Sequence, residues 1–357
     1  MFRTRITDSY GLEAPIISAG MAFVARPPLV AAVSNAGGMG TLGGAMVAPS
    51  SLRHMIWEIR RLTSRPFGID LVTDFIDDEH VAVCIEEQVP VVVFFWKPPE
   101  RRHVAQLTAN GTRVWMQVGS VAEAREAVAR GVEVIIAQGQ EAGGHNRAEA
   151  ATFSLLPAVR AAVTPVPVVA AGGIVDGRSM VAALALGAEA VWCGTRFLAS
   201  TEAQAHRGYK ERVVRAEAGD TVRTTLFGPE WPGQQMRVVR NRVVAQWAGR
   251  ENDCTSADPT GSSIGQTRID GEPVAMPKFS ALLPTPETTG DIEEMCLAAG
   301  ESCGNITDIR PAAQIVQSML AEAKAAIRTL AVSAADRAPF QGEPETFRRR
   351  AAVVAAS

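Results

Sequence analysis

Between residue 13 and about residue 216 the chain repeats one pattern eight times: an apolar run of four to seven residues, then a longer segment of helical period. The runs are APIISA (14–19), GMGTLG (38–43), PFGIDLV (66–72), VPVVVFF (89–95), RVWMQV (113–118), VEVIIA (132–137), VPVVAA (166–171) and AEAVWCG (188–194). Strands that are apolar throughout are buried on both faces, and each connection is long enough for a helical crossover. The pattern therefore predicts a parallel sheet. Eight uninterrupted units fit a closed (β/α)8 TIM barrel better than an open doubly wound sheet, whose nucleotide signature would lie in the first unit. The first turn, SAGMAFVARP, has no GxGxxG. Ser120 with Glu123 and Thr201 with Gln204 read as capping boxes opening two of the helices.

After residue 216 the repeat is lost. Residues 217–290 are loop-rich, with GPEWPGQQ, SADPTGSSIGQT and LLPTPETTG, and are expected to form a smaller inserted domain or lid. Helices are expected at 291–300 and 310–330, so residues 291–357 read as C-terminal helices returning to the barrel of residues 1–216.

Composition narrows the function classes. With 35 Lys+Arg against 38 Asp+Glu and no compact basic stripe, nucleic acid is not an expected partner. Arg348, Arg349 and Arg350 sit in an Ala-rich tail and are given no role. The cysteines, Cys84, Cys193, Cys254, Cys296 and Cys303, form no CxxC pair and have no His at metal spacing, which points to a reducing compartment. The apolar runs fall far short of the roughly 18 residues a membrane helix needs, and no secretory signal is legible. A cytoplasmic protein without a membrane or metal partner is expected. Ala- and Leu-rich helix faces permit a homodimer, and packing within the chain explains them equally well.

In this barrel class the reactive face lies at the C-terminal ends of the strands, with phosphate commonly bound after the seventh and eighth. Those loops are AAGGIVDGRS and WCGTRF, so Gly172, Gly173, Gly194 and Thr195 are either an anion cradle or merely tight turns. The helix opened near Asp176 is expected to point its positive end at that anion. The loop after the sixth strand, AQGQEAGGHNR, puts His145 on the flexible pair Gly143–Gly144, where an imidazole can act as base or hydrogen-bond donor. Glu141 reads as a support for that loop. Asp70, Gln117 and Gln138 end their strands and suit the edge of a planar heteroaromatic ring, or else form a buried polar layer. His54, His80 and His103 fall on helices expected to face solvent, and His206 reads as structural. Arg147 either meets an acidic substrate or is a surface arginine. No nucleophile elbow, HExxH or carboxylate cluster is present, which argues against hydrolysis and metal chemistry.

APIISAGM, VSNAGGMGTLGG, PFGIDL, QGQEAGGH, PVVAAGGIVDGRSMVAALALGAEAVWCGTRF and TGDIEEM, in this order, resemble the nitronate monooxygenase family, formerly 2-nitropropane dioxygenases. The resemblance implies non-covalent FMN, with its phosphate at Gly172, Gly173, Gly194 and Thr195. It places the ring near Met21, Asp70, Gln117 and Gln138 and beside the Gly143–Gly144–His145 loop. It also implies oxidation of alkyl nitronates by O2 to a carbonyl compound and nitrite, with His145 orienting the nitronate or deprotonating a nitroalkane. The sequence departs from the family pattern at Asp70, where many members have Asn, at Gln117, where some have Lys, and at LAAGES (297–302), where many carry an aromatic followed by AGQS. The same superfamily holds FMN-dependent enoyl reductases and NADH:quinone reductases, so an NAD(P)H-dependent reductase of enoyl thioesters or quinones is the alternative. A non-catalytic flavin-binding barrel is a third.

Overall fold

The computed structural model describes residues 2–228, 231–251, 253, 263–269 and 271–335; Cys254 and the Arg348, Arg349, Arg350 run lie outside the described residues. The chain opens with helix α1 (Arg5–Tyr10) and strand β1 (Ile16–Ser18). Helix and strand then alternate through α2 (Pro27–Asn35), β2 (Gly40–Gly43), α3 (Pro49–Leu62), β3 (Phe67–Val72), α4 (Asp78–Glu86), β4 (Val91–Phe95), α5 (Arg101–Ala109), β5 (Arg113–Val118), α6 (Val121–Ala129) and β6 (Val134–Gln138). A two-residue strand, β7 (Gly144–His145), precedes α7 (Thr152–Val163), β8 (Val168–Ala171), α8 (Gly177–Ala185), β9 (Ala190–Cys193) and the short α9 (Thr195–Leu198).

Eight strands pair in the order β1-β9-β8-β6-β5-β4-β3-β2, all in parallel. A parallel bridge from Ile17 to Met39, with Ser18 N–H donating to the Met39 carbonyl, ties β1 to the residue before β2 and closes the cylinder. The fold is a (β/α)8 TIM barrel. Each expected run holds one of its strands, with ends differing by at most two residues.

The run of apolar residues on each strand is explained by burial on both faces. On β4, Val91 and Val93 join Ile17, Met39, Trp115 and Trp192 inside the barrel, whereas Val92 and Phe94 pack outward with residues such as Leu52 and Val104. Helix α1 adds Ile6 and Tyr10 to the interior cluster. There the Trp115 indole Nε1 donates to the Tyr10 hydroxyl at 2.8 Å and the rings meet edge to face at 5.3 Å.

Beyond the barrel come α10 (Arg207–Arg215), β10 (Thr221–Thr224), β11 (Met236–Val239), α11 (Arg242–Trp247), β12 (Gly265–Ile269), β13 (Glu272–Met276), β14 (Thr289–Gly290) and α12 (Ala312–Ala335). β10 and β11 form an antiparallel sheet with β7, so the 217–290 segment pairs directly with the histidine loop. β13, β12 and β14 form a second small sheet. α12 lies against α8 so closely that a Cβ at Gly177 would come within 2.1 Å of the Ala323 amide nitrogen. No helix among the described residues is long and apolar enough to cross a membrane, and none of them form a metal-holding cluster.

Several local expectations are corrected. Residues 291–300 are not a helix but a 3-10 turn, Ile292–Glu294, followed by extended chain, because Ala298 bridges Val238 and the Leu297 carbonyl accepts from Val239 N–H. Long-range pairing here overrides local propensity. Thr201 and Gln204 do not cap a helix: Thr201 N–H donates to the Arg310 carbonyl, and α10 starts after His206, whose Nδ1 accepts from Gly208 N–H. Ser120 does cap α6, but Glu123 bonds Gly119 N–H, one residue before the cap. His54 is exposed as expected, whereas His80 and His103 are buried. Carboxylates at the start of α4 satisfy both: His80 Nδ1 lies 2.7 Å from Asp77, and His103 Nε2 lies 2.8 Å from Asp78.

Candidate active site

The C-terminal ends of the strands open into one pocket, and every candidate site residue lines it: Met21, Asp70, Gln117, Gln138, Gly143, Gly144, His145, Gly172, Gly173, Gly194 and Thr195. Glycines make the close approaches that shape its floor. A Cβ at Gly20 would fall 2.2 Å from that of Asp70, and one at Gly143 would fall 2.4 Å from the Gly300 amide nitrogen. Gly172 and Gly173, at φ 101° and 75°, turn the chain in the left-handed region open to glycine.

Asp70, on β3, is buried and its Oδ1 has no hydrogen-bond partner among the protein atoms. Burial alone pushes its carboxyl well above the usual carboxylate range. His145, on β7, is half-buried as a residue, yet its Nε2 is out of solvent and likewise partnerless. Burial lowers this imidazole to about 4, so it is neutral at pH 7. Gln138 Nε2 reaches the His145 carbonyl at 3.5 Å.

The histidine loop is held from several sides. Asn146 is its staple, donating from Nδ2 to the carbonyls of Gly139 at 2.8 Å and Ala142 at 3.2 Å and accepting from Ala148 N–H at 2.8 Å. Glu141 accepts from Thr152 N–H and so replaces the side-chain cap that α7 lacks. Arg147 does not face the pocket. It donates to the Trp96 carbonyl at 2.5 Å, stacks 5.3 Å from that indole and pairs with Glu123 at 2.9 Å. The end of α8 is also committed elsewhere, since Asp176 accepts from Ser179 N–H and Glu322 from Gly177 N–H. Its first turn is capped by carboxylates, so it does not offer the free positive end expected from the sequence.

Sequence reasoning missed the aromatic wall. Phe75, Phe95 and Trp231 line the pocket, and Trp96 packs against Trp231 and His145. Gly300 and Ser302 also join the lining, with Gly300 N–H donating to the Thr195 hydroxyl at 3.0 Å. The GPEW segment carried Trp231 and the LAAGES segment Gly300 and Ser302, but only tertiary pairing brings them to the barrel mouth. Among the described lining residues there is no Lys or Arg.

A family profile described as nitronate monooxygenase matches residues 3–79 and 72–322. A Mycobacterium tuberculosis relative named (3aS,4S,5R,7aS)-5-hydroxy-7a-methyl-1-oxo-octahydro-1H-indene-4-carboxyl-CoA dehydrogenase is 38% identical over 245 residues, 68% of this chain and 67% of that one. A probable nitronate monooxygenase from Staphylococcus aureus is 31% identical over 299 residues, 70% of this chain and 82% of that one. The solved structure of FabK from Thermotoga maritima aligns with a TM-score of 0.78 at 38% identity, covering 93% of this chain and 100% of that one. The family is one of FMN-binding flavoenzymes, and the pocket fits such a group. Two buried polar atoms, Asp70 Oδ1 and His145 Nε2, lack protein partners, and the paired left-handed glycines line the same pocket as the Gly194–Thr195 turn after the adjacent strand. A barrel of this form, a glycine-lined mouth and a match over most of the chain place it in the nitronate monooxygenase family, as an FMN-dependent oxidoreductase.

Proposed function

We propose that the chain oxidises carbon acids, its substrates being nitroalkanes and their nitronates, its electron acceptor O2, and its products a carbonyl compound and nitrite. The observation that carries this reading is His145 Nε2, buried, neutral at pH 7 and without a partner at the reactive end of the barrel. An imidazole in that state can take a proton from a carbon next to a nitro group.

In this reading Gly172, Gly173, Gly194 and Thr195, with Ser302 of the same lining, would hold the FMN phosphate, and Met21, Asp70, Gln117, Gln138, Gly143 and Gly144 would hold its ring. FMN, when bound, supplies the electron sink and the route to O2. His145 holds the abstracted proton at Nε2. With no Lys or Arg in the described lining, the imidazolium so formed is the counter-ion of the nitronate. Trp96, packed against His145, keeps water from that pair and strengthens it.

A second reading, redox chemistry of acyl thioesters, is favoured by the 38% identical CoA dehydrogenase and by the uncharged aromatic wall. A thioester is also a carbon acid, so His145 keeps its role. The two separate in one assay. Nitrite released from a nitroalkane and O2 without a nicotinamide nucleotide supports the first reading. No nitrite, with anaerobic bleaching of the flavin by an acyl-CoA or by NADH, supports the second.

A further inference from the structure

The rings of Trp96, Trp231 and His145 form one cluster, with centroids 4.4 Å apart for the two indoles, 4.6 Å for His145 and Trp231, and 5.9 Å for His145 and Trp96. The two tryptophans are held very differently. Trp96 follows β4 at φ 89°, a left-handed backbone that bulky side chains avoid. Arg147 compensates with a hydrogen bond to its carbonyl and a stacked guanidinium, itself anchored by Glu123. A strained residue fixed this firmly against two pocket-lining rings points to a functional constraint. Trp231 comes instead from the segment between β10 and β11. Among the described residues its side chain is held by a 3.3 Å hydrogen bond from Nε1 to Asp74 and an edge contact with Phe75 at 5.1 Å. Gly228 and Gly233, at φ 110° and 75°, stand on either side of it.

Nε2 of His145 is shielded from solvent and its ring packs against both indoles, so displacing one of them is a direct way to open it to a substrate. The anchoring says which one. We infer that Trp231 is the movable half of a substrate clamp: the reacting molecule displaces its indole and lays a flat, uncharged aryl or conjugated group against Trp96, beside His145. Trp231 and Phe75 line the pocket with Trp96 packed against Trp231, and the ionisable side chains in the described pocket lining are Asp70, His145 and Tyr209. Flat apolar groups gain from aromatic walls, while a fixed charge finds no cation there. The substrate class rests on the reading of His145 as the proton acceptor.

The test uses the full chain loaded with FMN and needs no turnover. Diethyl pyrocarbonate modification of the peptide carrying His145 is followed by mass spectrometry in wild type, Trp231→Phe and Trp231→Ala. Trp231→Ala is expected to raise the modification rate about tenfold, with Trp231→Phe close to wild type, because the phenyl ring keeps most of the stacking. Equal rates in wild type and Trp231→Ala would overturn the gate. In parallel, 2-naphthol is expected to perturb the flavin absorption at concentrations where cyclohexanol does not, and to lose that advantage in Trp96→Ala. Equal responses to the two alcohols would overturn the clamp. Loss of nitrite production with both results intact would count against the proposed reaction alone.

Discussion

At one end of the barrel interior Trp115 Nε1 donates to the Tyr10 hydroxyl beneath α1; at the other, Asp70 Oδ1 and His145 Nε2 are just as buried and bond to no protein atom. Both ends lie within the same shell of parallel strands and use similar aromatic packing. A buried polar group left unpaired costs about 1–3 kcal/mol; at the mouth that cost falls on two side chains that line the pocket, whereas the Trp115–Tyr10 pair inside the barrel is satisfied. The difference teaches where each end of the molecule does its work. The base is closed to hold the cylinder together, and the mouth is left unsatisfied for a ligand to complete.

The largest effect expected from breaking this contrast is at the mouth. His145→Ala should lower turnover of a neutral nitroalkane about 10²–10⁴-fold while the protein keeps its FMN, measured as nitrite release against flavin content. Retained turnover would mean that the orphaned imidazole is not the proton acceptor.

Acid titration should give the next largest effect. Folded His145 titrates at about 4 against about 6.5 when unfolded, so below pH 6.5 the unfolded chain binds the extra proton. Stability should therefore fall by about 3 kcal/mol as the pH drops from 6.5 to 4, and this component should be absent from His145→Gln in denaturant melts at the two pH values. Identical acid sensitivity in the variant would place the loss elsewhere.

The smallest effect is at the base. Tyr10→Phe leaves the Trp115 N–H buried and unpaired and should cost about 1–2 kcal/mol in a thermal or denaturant melt, with kcat/KM unchanged. A fall in activity at unchanged stability would show that the two ends are not separable.

The barrel was legible because its strands are buried on both faces and so run apolar without interruption, as at Val91–Phe95. The glycine and histidine loops were legible for a related reason, since strand ends fix where such loops must open. The histidines of α4 and α5 misled because a helix-period pattern shows polarity but not the carboxylate that lets a polar ring turn inward. The 291–300 segment misled because its apolar residues pair with β11, a contact almost sixty residues back in sequence. Trp96 and Trp231 had no local signal at all. Their meeting over His145 depends on β7 and β11 pairing, which brings two loops from distant parts of the chain to the same mouth.

The most direct test of the mouth's role is an anaerobic comparison of flavin bleaching by nitroethane and by its preformed nitronate, in wild type and in His145→Ala. If His145 takes the proton, wild type bleaches with both, and the variant bleaches with the nitronate but hardly with nitroethane. Bleaching of the variant by nitroethane at the wild-type rate would contradict the account.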